Sequence, residues 1–274
     1  MQELIKKSNS LQDAEVKKVI RLLAKARTEV AATVASTEWQ AYHLPQMKSA
    51  IERAMQEFGD KYGVDLREAQ RGFWEHGIDS VDLPMRKIGI IQAIPEIDTT
   101  LLSVMQGFSS DLVEGLTREA VKKINTELSL GLMGQKSPYD VMKAVGRNLK
   151  DKSIFKSIAH RAETIVRTEA GRVLEAASQA RKEVAARVVP GLQKEWFYGH
   201  SPKLPRIDHL MAAGQIRDVD APFNVGGEEL MYPRDPAGSA RNTINCGCTS
   251  IPYHPNWDEA YDNSHKGTKA QRKD

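Results

Sequence analysis

The chain opens on helical patterning. Leu11, Val16, Val19, Ile20, Leu22, Leu23, Ala26, Val30, Ala31 and Val34 follow a helical period, the stripe of an amphipathic helix. Ser10 reads as its N-cap, with Asp13 and Glu15 in the first turns. Thr37 to Pro45 interrupts the pattern. A second helix is predicted from Gln46, carrying Ile51, Ala54, Met55 and Phe58 and continuing past Gly59 and Gly63 through Leu66, Ala69, Phe73 and Trp74. Two long helices joined by a short break predict an antiparallel hairpin. Between Gly77 and Pro95, Pro84, Gly89 and Pro95 bracket the run Ile88, Ile90, Ile91, which reads as a linker or short extended segment. Helix resumes near Asp98 with Leu101, Leu102, Val104, Met105, Leu112, Leu116, Ala120, Val121, Ile124 and Leu128, and ends at Gly131 and Gly134. Ser137-Pro138-Tyr139-Asp140 is a helix start, with Ser137 as N-cap and Pro138 at the first helical position.

The clearest helix runs from about Ser157 to Val189 and stops at Pro190-Gly191. Its many alanines give it high intrinsic propensity. Beyond it glycine and proline become frequent. Leu192 to Tyr198, Glu229 to Tyr232 and Cys248 to Tyr253 are strand candidates separated by long loops. So small a module has little core of its own and is expected to lean on the helix before it. The fold class expected is mainly α: an elongated helical body with long helices, followed by a small C-terminal α+β module. The divisions expected are a helical hairpin region over 1–95, a helical region over 96–190, the α+β module over 191–256 and a basic tail over 257–274. There is no internal repeat and no low-complexity segment.

Composition narrows the function classes. Hydrophobic residues make up 41% and charged residues 27%, too apolar for a wholly disordered chain. No apolar run is long enough to span a bilayer, so no membrane partner is expected. Met1 to Lys7 lacks the apolar stretch of a secretory signal, and two cysteines cannot build a disulfide framework, so synthesis in a reducing cytoplasm is expected. The formal net charge of +3 falls wholly within residues 265–274, where Lys266, Lys269, Arg272 and Lys273 outnumber Asp274. The rest of the chain is balanced, which argues against a basic nucleic-acid-binding body. The tail remains a candidate for non-specific DNA contact, or a plain solvated terminus.

Residues with chemical potential cluster after Pro190. In order they are Trp196, Arg206-Ile207-Asp208-His209, Gly214-Gln215, Asp220-Ala221-Pro222-Phe223, Tyr232-Pro233-Arg234-Asp235-Pro236 and Asn245-Cys246-Gly247-Cys248-Thr249, with Ile165-Val166-Arg167-Thr168-Glu169 upstream. In this order and spacing the segment from about Ala159 to Pro252 resembles the C-terminal domain of the Mu F-like phage head morphogenesis proteins, the minor head proteins of tailed phages. Two departures stand out. The stretch before Arg206, His200 to Pro205, lacks the acidic residue common in that family, and Gly247 stands where the family often has Arg.

The resemblance implies a virion structural protein, made in the host cytoplasm. It would act in head morphogenesis beside the portal protein and the major capsid or scaffolding protein, and accompany DNA packaging or ejection. The alternative is a zinc-dependent or ADP-ribosyltransferase/toxin-like enzyme domain carried in the virion. No nucleotide-binding loop, His-Glu-x-x-His pair or Gly-x-Ser-x-Gly elbow is present, so no catalytic residue is assigned and no cofactor is required.

Three readings of the cysteines stay open. Cys246 and Cys248 with His209 and His254 are four donors for zinc. They are equally buried free thiols in a strand, or a redox pair whose bend Gly247 would ease. Glu169, Arg206, Asp208 and His209 form the expected structural network. Glu169 falls on the apolar side of its helix, and a buried carboxylate requires a partner, for which Arg206 is the first candidate. Trp196, Phe197, Phe223 and Tyr232 are the expected module core.

Overall fold

The computed structural model describes residues 2–36, 39–87, 94–146, 148–149, 152–199 and 206–257. The fold is mainly α, with long helices followed by small C-terminal strands, as the periodicity predicts. The helices are α1 (Gln2–Ser36), α2 (Leu44–Lys87), α3 (Thr100–Leu132), α4 (Pro138–Val145), α5 (Ile154–Ala186), α6 (Ile207–Ala212) and α7 (Ala240–Thr243). The strands are β1 (Gln193–Phe197), β2 (Ile216–Asp218), β3 (Phe223–Val225), β4 (Glu228–Leu230) and β5 (Thr249–Tyr253). No helix among the described residues is long and apolar enough to cross a membrane.

Contacts group the chain into two units built from non-contiguous segments. One unit is Asn9–Gln70 with Ser103–Glu169; the other is Met1–Ser8, Arg71–Leu102 and Ala170–Asp274.

The first unit is a helical core. Val19, Leu23, Ala26, Val30 and Val34 of α1 pack with Ile51, Met55, Phe58, Tyr62 and Leu66 of α2. The α1 and α2 segments run antiparallel, since Lys18 reaches Asp65 while Lys25 reaches Glu57. Val113, Leu116, Ala120, Ile124 and Leu128 of α3, and Phe155, Ile158, Ala162 and Val166 of α5, complete the core. The Tyr62 hydroxyl donates to the Ala162 carbonyl at 3.1 Å, which meets the polar requirement of a buried phenol. Ser137 caps α4 as expected, accepting from the Asp140 N–H at 3.1 Å.

Two boundaries differ from expectation. Ser10 lies inside α1, because the helix begins at Gln2. Gly77 and Pro84 do not end α2, which continues to Lys87. The cause is burial: Val81 and Met85, four apart on one face, pack with Ala185, Val189, Leu192 and Val219. That apolar contact outweighs the local cost of Pro84, which falls in the last turn. The Ile88, Ile90, Ile91 run and all of the tail except Trp257 lie outside the described residues.

The second unit places α5 against the C-terminal sheet. β1 is central, with β2 and β5 antiparallel on either side. The strand period sends Lys194 and Trp196 of β1, and Ser250 and Pro252 of β5, to the buried face. β3 and β4 form a hairpin across Gly226 and Gly227, whose φ values of 61° and 86° are those a two-residue turn of this hand requires. β2, β3, α6 and α7, each six residues or fewer, were not among the elements read from the sequence.

Candidate functional site

Three turns assemble the site. The first follows α6. Ala213 has φ −58° and ψ 133°, Gly214 has φ 77°, and Gln215 N–H donates to the Ala212 carbonyl at 3.0 Å. This is a type II turn, whose third position requires a positive φ and so favours glycine. Gly214 N–H then donates to the Trp196 carbonyl, and Trp196 N–H to the Gln215 carbonyl, both at 2.9 Å, fixing α6 to β1. The second turn is Tyr232 to Asp235, closed by Asp235 N–H on the Tyr232 carbonyl at 3.1 Å, with Arg234 at φ 68°. Asp235 holds it from within, accepting from Met231 N–H at 2.8 Å and Ala237 N–H at 2.9 Å. The third is at Asn245, whose φ of 52° redirects the chain so that both cysteines enter the core.

These turns bring His209, Cys246 and Cys248 together. Their ligating atoms lie within 4.8 Å of one another, and all three residues are buried. His209 Nδ1 is 3.4 Å from Cys246 Sγ and 3.4 Å from Cys248 Sγ. Behind the ring, Asn242 Nδ2 donates to the Val225 carbonyl, which leaves Asn242 Oδ1 to face His209 Nε2 at 3.3 Å. Nε2 therefore faces an acceptor and is the donating nitrogen, while Nδ1 faces both sulfurs. Both cysteines are free thiols. The Cys248 N–H donates to Cys246 Sγ at 3.4 Å. A hydrogen bond from Cys248 pulls the Cys246 thiol well below its ordinary range against the effect of burial, with the Arg234 charge adding to it. The same bond, with burial, pushes the Cys248 thiol up. Two cysteine sulfurs with an imidazole nitrogen beside them are a soft donor set.

His254, the fourth expected donor, is elsewhere. Its Nδ1 accepts from Asn256 N–H at 3.2 Å and its Nε2 bonds the Pro190 carbonyl at 3.1 Å, so both ring nitrogens are committed. Its ring stacks on Trp257.

The expected network is present in altered form. Asp208 meets Arg241 at 2.6 Å near the surface. Arg206 gives Nη2 to the Ile244 carbonyl at 2.6 Å, not to a carboxylate. Glu169 is buried, but it belongs to the other unit. The carboxylate that anchors the module is Glu175, one and a half turns further along α5, which sequence reasoning missed. Its Oε2 accepts from Ser250 N–H at 2.9 Å. Lys182, about two turns further along α5, donates to the Ser250 carbonyl and hydroxyl, both at 2.8 Å. Burial raises the Glu175 carboxyl, opposed by the charges of Lys182 and Arg234, and lowers Lys182 to about 7.

Lys194 is equally enclosed, donating to the Met231 carbonyl at 2.8 Å and to Gln179 Oε1 at 3.3 Å, and burial lowers it to about 8. Arg234, also missed, is buried against Gly171 and donates to the Cys248 carbonyl at 3.3 Å. Its signal in the sequence was a non-glycine residue after a turn proline, at the position that calls for positive φ.

Of the expected core aromatics, Trp196 and Phe223 are fully buried and meet edge to face at 5.3 Å. Phe197 is only half-buried, because it follows Trp196 on the strand and faces the other way. Tyr232 is also half-buried, in the turn beside Arg234.

The chain is similar to a protein of Bacillus subtilis (strain 168) described as "Uncharacterized protein YqbB", with 27% identity over 201 residues. The aligned stretch is 70% of this chain and 62% of that protein. No family model matches the chain, and no solved structure matches it.

Proposed function

We propose that this protein is a minor head protein of a tailed phage, acting in head morphogenesis beside the portal and the inner capsid. The resemblance of the ordered motifs from Ile165 to Cys248 supports this reading. The observation that carries it is how the motif residues are used. Arg206, His209, Gly214 and Asp235 are spent on backbone turns and internal bonds, as framework. The helix they frame turns its apolar residues outward: Ile207 is 75% exposed, Met211 77% and Leu210 45%, with Ile244 beside them at 39%. An apolar patch on a rigid small module is suited to docking on another protein. The portal and the major capsid or scaffolding protein are the partners proposed, and the tail is proposed to touch packaged DNA.

The second reading, an enzyme, draws on the three-donor cluster of His209, Cys246 and Cys248. A catalytic metal needs substrate access, and each donor is at most 3% exposed.

The test is affinity capture of the full chain from induced cells. Portal and major capsid proteins are expected to co-purify with the natural chain and to be lost with the Leu210→Asp/Met211→Asp variant. Particles that assemble and infect normally without this chain would overturn an essential assembly role.

A further inference from the structure

We infer that His209, Cys246 and Cys248 form a zinc site that joins α6 to the entry of β5. The argument is geometric. With Zn–S near 2.3 Å and Zn–N near 2.0–2.1 Å, a tetrahedral centre sets each sulfur about 3.5 Å from the nitrogen. Both observed Sγ to Nδ1 distances are 3.4 Å. The two sulfurs converge on the same nitrogen, and on the atom that carries the lone pair.

The surroundings are those of a supported metal ligand. Asn242 orients the His209 ring from behind and is itself fixed by the Val225 carbonyl, the outer-shell arrangement that sets a ligating histidine's tautomer. The Cys248 N–H is directed at Cys246 Sγ, where it would support the charge of a metal-bound thiolate. Thiolate and imidazole donors select zinc over hard cations.

The order of the chain makes such a link useful. His209 comes before the β3–β4 hairpin and the cysteines come after it, so one ion closes the loop that holds most of the module. The buried apolar cluster there is small: Trp196, Ala212, Phe223, Val225, Leu230 and the two cysteines themselves. A domain with so little core gains most from a metal that binds only its folded form. On binding, two Zn–S bonds and one Zn–N bond form, and the protons of both thiols leave to solvent. Three protein donors leave one tetrahedral position for a water molecule.

The test uses the untagged full chain, purified without chelator from zinc-supplemented medium. About one zinc per chain is expected to survive gel filtration. Replacement of zinc by Co2+ is expected to produce the intense near-ultraviolet thiolate-to-cobalt absorption. Both thiols are expected to resist a thiol reagent until a chelator is added. Cys248→Ser is expected to lose the absorption. Because that variant removes a donor from the core, Asn242→Ala provides a second arm. It keeps all three donors and is expected to lower zinc affinity by about 10–100-fold. Folded natural chain with no stoichiometric metal and no thiolate–cobalt absorption would overturn the site. So would isolation of the chain with a Cys246–Cys248 disulfide. The inference is independent of the head-protein reading: metal-free protein that still captures the portal would remove the zinc and leave that reading standing.

Discussion

Replacing Lys182 with methionine tests whether α5 is fastened to the C-terminal sheet by a buried charge pair. Lys182 is 0% exposed, and its ammonium makes both of its hydrogen bonds to Ser250, at 2.8 Å each. On the same residue, Ser250 N–H donates to Glu175 Oε2 at 2.9 Å. One serine of β5 is therefore gripped by an acid and a base that lie seven positions apart on α5. Methionine keeps the length of the side chain and removes the charge. Glu175 would then be left with Arg234 as its main countercharge. Losing two buried hydrogen bonds and leaving the Ser250 carbonyl and hydroxyl without that donor costs about 2–4 kcal/mol. Glu175→Gln strands Lys182 in the same way and is expected to cost about 2–4 kcal/mol. With both replaced, neither charge is stranded. The double variant is expected to fall short of the summed single effects by roughly 1–3 kcal/mol. Urea unfolding followed by circular dichroism measures the cycle, and hydrogen exchange of the β5 amides reports the loss where it occurs. Additive single effects, or a Lys182→Met variant within about 0.5 kcal/mol of the natural chain, would refute the reasoning.

The two enclosed lysines also set a pH dependence. Burial lowers Lys194 to about 8 and Lys182 to about 7 from 10.5, so between those values and 10.5 the unfolded chain holds protons that the folded chain has shed. Stability is therefore expected to rise as pH climbs from about 8 towards 10, and Lys194→Met to flatten that rise by up to about 1.4 kcal/mol per pH unit; equal slopes in denaturant titrations would count against it. A Cβ on Gly77 would sit 2.3 Å from the Leu174 carbonyl oxygen, whereas one on Gly115 would meet nothing within 4 Å. Gly77→Ala is thus expected to lower stability by about 1–3 kcal/mol and Gly115→Ala to raise it by up to about 1 kcal/mol, read as opposite shifts in Tm. Ser137→Ala removes the cap of α4 and is expected to cost about 1 kcal/mol by the same measurement.

The long helices were legible because their apolar stripes persist over many turns and are visible without knowledge of partners. Where the reading failed, a tertiary contact had changed the meaning of a local signal. Gly77 looked like a break, yet it is the point where α2 approaches the α5 backbone too closely for a side chain. Glu175 and Lys182 were invisible for a related reason. A stripe argument assigns polar residues to the solvent side, but between Ala170 and Ala185 almost every face of α5 is buried, including Glu175, Gln179, Arg181 and Lys182. Arg181 shows the cost of that burial being met: it makes a bidentate pair with Asp82, 2.7 Å at each oxygen, and donates to the Pro95 carbonyl. Charged residues on an alanine-rich helix are a surface signal only while one face stays wet.

At the cluster the sequence named donors but could not choose among them. His209 and His254 are equivalent as residue types. What separates them is where the chain turns. His209 is held by the Gly214 turn on one side and by Asn242 on the other, leaving Nδ1 free to face sulfur. His254 spends both nitrogens on its own surroundings. Gly247 also acquires a physical meaning. A Cβ on Gly199 would lie 1.6 Å from the Gly247 carbonyl oxygen, so the end of β1 and the Cys-Gly-Cys segment touch through backbone alone. That contact holds the segment in place through main-chain atoms. Gly199→Ala should therefore displace Cys246 and Cys248 from His209 without altering any donor. Its expected signature is weakened thiolate–cobalt absorption with the helical circular dichroism intact. Undiminished absorption would show that the donors hold one another in place and that the backbone contact is incidental.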